Sequence, residues 1–142
     1  MNEYFVTYEL AVKLKEKGFK EKCIAYYWEK INEHTPSFLV EDNMPEDGLN
    51  ILDLLSNHNQ AEWSPFIDAP TIPQVLKWLR KKKIVVSILP AGYNKETGLT
   101  NYYYVIYDVA EYFWKKNEYP QSFETWEECE LSAIEYVLDN LI

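Results

Sequence analysis

The chain has 142 residues, of which 47% are hydrophobic, 26% charged and 16% aromatic, and its net charge is −9. This composition is globular rather than disordered, and a chain of about this length buries roughly 68–70% of its unfolded surface without needing disulfides or structural metals. The acidic balance opposes generic attraction to phosphate or anionic lipid, and no apolar run approaches the ~18 residues of a membrane span.

In chain order, the opening MNEYFVTYEL lacks the basic start and long apolar stretch of a signal peptide, which predicts a cytoplasmic protein. Thr7 is placed to cap a helix over TYELAVKLKEKGF. Leu10, Ala11 and Leu14 share a face there, and Gly18 is the stop behind which Phe19 folds back. CIAYYW, residues 23–28, is β-branched and aromatic and predicts a strand. Beyond Glu29 the pattern weakens. SFLVED offers a short strand near 37–41, GLNILDLLS (48–56) has helical spacing, and NHNQAEWSPFIDAP reads as a surface loop punctuated by proline.

The second half is clearer. Thr71 and Gln74 have the spacing of a capping box and Pro73 falls in the first turn, so a helix is expected with Val75, Leu76 and Leu79 buried and Trp78 at its edge. KIVVSIL switches to a strand (84–89), PAGYNKETGLT reads as a hairpin loop, and NYYYVIYDV is the returning strand (102–109). Both strands are apolar on both faces, the mark of a sheet covered on two sides. Thr125 and Glu128 open a last helix, with Trp126, Cys129, Ala133, Val137 and Leu141 along one side.

Charge is unevenly placed. Residues 36–70 hold seven acids and no base, whereas residues 71–101 hold six bases against Glu96. Arg80, Lys81, Lys82 and Lys83 suit a helix C-terminus, where cations complement the macrodipole, and Lys83 also guards the entry to an aggregation-prone strand. The same run beside Trp78 is the candidate contact surface for a partner: Trp78, Arg80, Lys81 and Lys82, with Tyr103 and Tyr107 from the returning strand. A nucleic-acid reader would need more basic residues on neighbouring segments, which are acidic instead, so nucleic acid is disfavoured.

The motifs of common chemistries are missing from the sequence. His34 and His58 are the only histidines, and no His/Cys cluster or calcium loop accompanies them, so no metal is expected. The four glycines form no phosphate-binding loop, no cofactor is expected, and no serine sits in a nucleophile elbow. Acids are plentiful enough that a pair such as Glu62 and Asp68 carries no information, and no catalytic residue is assigned. Cys23 and Cys129 lie far apart in apolar settings and read as two buried thiols.

TYELAVKLKEKGF with CIAYYW, APTIPQVLKWLR before a strand, and FETWEECELSAIEYVLDNLI at the end together resemble small uncharacterised proteins of gut Bacteroidetes and their prophages or mobile elements. The resemblance implies an α+β domain and a mobile-element origin, and it transfers no activity. The expectation is a single α+β domain, residues 1–142, with one mostly antiparallel sheet of three to four strands and three to four helices. The expected function is non-catalytic binding to an unidentified protein partner. Two rivals are an acidic mimic of nucleic acid that blocks a host DNA- or RNA-binding protein, and a small hydrolase with an unrecognised site. The surplus of tyrosines at 102–112 also suggests a homodimer.

Overall fold

The computed structural model describes residues 2–28, 36–38, 59, 64–111, 113–117 and 122–142. They form an α+β protein that divides into two units, Met1–Thr71 and Ile72–Ile142.

In the first unit, helix α1 (Tyr8–Glu16) starts where the Thr7 hydroxyl accepts a hydrogen bond from the Leu10 N–H at 3.3 Å. It ends in a Schellman motif. The Gly18 N–H donates to the Lys15 carbonyl (3.1 Å) and the Phe19 N–H to that of Leu14 (2.9 Å), with Gly18 at φ +86°, a backbone geometry that costs glycine little. Leu10, Ala11, Leu14 and Phe19 are buried, as the spacing predicts. Strand β1 (Ala25–Trp28) pairs antiparallel with β3 (Phe66–Asp68) and with the two-residue β2 (Ser37–Phe38). The strand β3 corrects the reading of residues 57–70 as loop. Pro65 and Pro70 flank it, and three residues are too few to show an alternation against that punctuation.

The centre of this unit is polar as well as apolar. Asp68 is fully buried, and its carboxylate accepts from the Asn59 N–H at 2.9 Å. The Asn59 side chain returns the contact, accepting from the Asp68 N–H (3.1 Å) and donating to the Phe19 carbonyl (3.1 Å). Buried polar atoms need such partners, so Asn59 and Asp68 fix where the chain re-enters the sheet.

The second unit begins with α2 (Ile72–Lys81), continues through the long hairpin of β4 (Ile84–Asn94) and β5 (Leu99–Asp108), adds β6 (Phe113–Asn117) and closes with α3 (Trp126–Asn140). Its strand order is β4-β5-β6, antiparallel throughout. Thr125 caps α3 by accepting from the Glu128 N–H at 3.1 Å. Cys129, Ala133, Ile134, Val137 and Leu138 are its buried side, while Trp126 is 44% exposed, against expectation. On α2, Trp78 is buried at 7% exposure and Leu76 only partly, the reverse of the expected arrangement.

One sheet holding all the expected strands is therefore corrected to two small sheets, each an antiparallel pair extended by one short strand. Three α-helices are present among the described residues. The expected helix at 48–56 lies outside them, as do residues 39–41 of the expected strand at 37–41.

Candidate binding surface

Helix α2 runs into β4 through a tight turn. The Lys82 N–H donates to the Leu79 carbonyl and the Lys83 N–H to that of Arg80, both at 2.9 Å, and Lys83 adopts φ +67°. Arg80, Lys81, Lys82 and Lys83 are all exposed around this turn. Trp78 is not available as a contact. It is buried, and Lys82 Nζ lies over its ring, 4.6 Å from the centroid, in a cation–π contact.

The strand register places the two tyrosines relative to that turn. Tyr107 pairs with Val85 and Tyr103 with Leu89, so both lie on one face of the hairpin, and both are half-buried. Tyr107 therefore stands beside the basic turn, and Tyr103 about 14 Å further along at ~3.4 Å per residue. The opposite face carries Tyr102 and Tyr104. Tyr102 meets Trp126 edge-on at 5.5 Å and Tyr104 stacks on Phe123 at 6.0 Å. These two rings are absorbed inside their own unit, which reduces the tyrosine surplus behind the dimer expectation.

The hairpin reaches further than the sequence suggests. Both strands continue through the stretch read as loop, as far as a turn at residues 95–98. There the Asn94 side-chain oxygen accepts from the N–H groups of Glu96 (2.9 Å) and Thr97 (3.3 Å), and the Gly98 N–H donates to the Asn94 carbonyl at φ +69°. A register shift between Pro90 and Gly92 marks a bulge on the way. The distal half presents apolar side chains to solvent on both faces: Leu89 at 40% exposure and Leu99 at 60% on one, Tyr93 at 64% on the other. Neither Tyr93 nor Leu99 was among the expected contact residues, because glycine and proline in PAGYNKETG signal a loop more strongly than strand. A shallow, open concavity of about 580 Å³ lies against this tip, lined by Gly92, Tyr93, Asn94, Lys95, Glu96 and Asn101. Being open, it shields no reacting group from water.

Three ionisable side chains outside this surface are shifted chiefly by burial. Burial, and then the charge of Glu130, pushes the Cys129 thiol up to about 12, so it stays protonated at neutral pH and is a poor nucleophile. Both cysteines are free and buried. Burial and then Glu9 push Tyr27 up to about 12, and its hydroxyl donates to the Val6 carbonyl at 2.6 Å. Glu130 is raised above the ordinary carboxylate range by burial first and by Glu127 second, against a lowering hydrogen bond from Trp126. Among the described residues no three metal-ligating side chains gather, and no helix is long and apolar enough to cross a membrane. His34, His58 and Glu62 lie outside the described residues, as does most of the acidic stretch 36–70.

No family model matches the chain, and no curated protein or solved structure matches it either.

Proposed function

We propose that the chain is a non-catalytic binding protein that meets a protein partner with the distal half of the β4–β5 hairpin. The observation that carries this is the exposure of Tyr93 and Leu99 at 64% and 60% on a strand pair whose other end is anchored by buried Ile84 and Ile106. Large apolar side chains held in water on a rigid element are what an interface core needs, since they enter the contact with little order left to lose. The tip carries Lys95 beside Glu96, so it has no net charge and suits a protein surface better than a phosphate backbone.

The test is a Tyr93→Ser/Leu99→Ser double variant compared with the unaltered chain, both immobilised and exposed to cytoplasm from the native host. The variant should match the original in circular dichroism and thermal stability while losing the proteins that the original retains. If both retain the same proteins, the tip is not the contact surface.

A further inference from the structure

Among the described residues β4 pairs with β5 and with no other strand, so one side of it is a sheet edge. Two sets of bonds fix which backbone groups face that edge. The Lys83 carbonyl accepts from the Val109 N–H at 2.8 Å, toward β5. At the far end Tyr102 exchanges both its bonds with Phe123 (2.9 and 2.7 Å), so its groups face away from β4, and the carbonyl of its pair partner Pro90 must face away from β5. Alternation then turns Val85, Ser87 and Leu89 toward β5 and Ile84, Val86 and Ile88 outward. No hydrogen bond from the described residues reaches the outward groups of Val86 and Ile88.

The free stretch is bounded. Pro90, which has no N–H, and the bulge behind it end it on one side, and the basic turn ends it on the other. From Ile84 to Asn94 the strand carries no charge, while Arg80, Lys81, Lys82 and Lys83 stand exposed at its N-terminal mouth. Val86 and Ile88 are only half-covered at the edge.

We propose that this edge takes an extended peptide strand of a partner protein, antiparallel to β4, apolar at alternate positions and ending in carboxylates. Main-chain bonds to Val86 and Ile88 would hold the strand, and its apolar side chains would cover theirs. In an antiparallel arrangement the C-terminal end of the incoming strand arrives at the basic turn, which sets the position of its carboxylates. Charge also argues against a second copy as the occupant. Two-fold pairing about Val86 would set Lys83 against the uncharged Leu89 of the other chain, and each copy carries −9. The proposal rests on the reading of the hairpin as a binding element, but not on its tip.

The probe is a fluorescent peptide alternating Val and Thr and ending in two Glu, titrated with the full chain and read by anisotropy. It should bind. Replacing the Glu pair by Lys should weaken binding at least ten-fold, N-methylating alternate peptide nitrogens should abolish it, and Arg80→Glu/Lys83→Glu in the protein should reverse the preference between the two peptides. The proposal is overturned by the absence of saturable binding at millimolar protein, or by binding that tolerates both N-methylation and charge reversal. A doubled mass in light scattering that Val86→Pro abolishes would overturn it in favour of a second copy. The tip variant should bind the peptide normally, so failure here and failure of the tip reading are separable.

Discussion

Lys83 holds a positive φ of 67° at the position after a helix where glycine is usual. The conformation costs a side-chain-bearing residue roughly 1–2 kcal/mol, against about 0.5–1 kcal/mol that glycine loses through its freer unfolded chain. Lys83→Gly should therefore stabilise the second unit by about 0.5 kcal/mol, while the β-branched Lys83→Val should destabilise it; denaturant melts of both variants check this. The sequence signals a helix end here and cannot signal the strain, because the residue is an ordinary lysine. Glu130 makes a second test. Its folded pKa is raised, so the folded state binds the proton more readily than the unfolded one, and its contribution to stability falls as pH rises through the folded pKa. Glu130→Gln should accordingly raise the melting temperature at pH 7, and the advantage should vanish below the ordinary carboxylate range. An advantage that persists unchanged at pH 3 would remove ionisation as its cause.

At the scale of the elements, the helices were the legible part. Thr7, Gly18 and Thr125 mark ends by local bonds that involve three to five neighbouring residues, which is information a sequence carries directly. Strands were legible where β-branched and aromatic residues run together, as in β1 and the proximal halves of β4 and β5, whereas β6 was not expected. Nor was β3, because its identity comes from pairing with β1 some forty residues away rather than from its own pattern. On α2, periodicity leaves both Leu76 and Trp78 near the border of the buried stripe, and packing within the fold buries Trp78 rather than Leu76. Leu79 needs no such tie-break. It is fully buried, as is Leu138 on α3, so Leu79→Ala or Leu138→Ala should cost about 2–5 kcal/mol in a denaturant melt. A loss under ~0.5 kcal/mol, typical of surface positions, would take the residue out of the core.

For the whole molecule, α+β character and antiparallel pairing followed from composition and alternation, but the division into two sheets did not. Which strands share a sheet is decided by contacts distant in sequence, and aromatic strands such as 23–28 and 102–109 look equally ready to pair with one another. The candidate surface was half legible for a related reason. Arg80, Lys81 and Lys82 are exposed as their helix-end position implies, whereas the reach of the hairpin depends on a bulge and a turn that let strand continue through glycine and proline. Both proposed contacts need this hairpin uncovered in the free protein, the tip for one and the β4 edge for the other. Amide hydrogen exchange along β4, followed residue by residue by NMR, measures that cover directly. Slow exchange is expected at Val85, Ser87 and Leu89, whose N–H groups face β5, and fast exchange at Val86 and Ile88, whose groups face outward. Uniform protection across residues 85–89 would contradict the account, since the edge would then already be occupied.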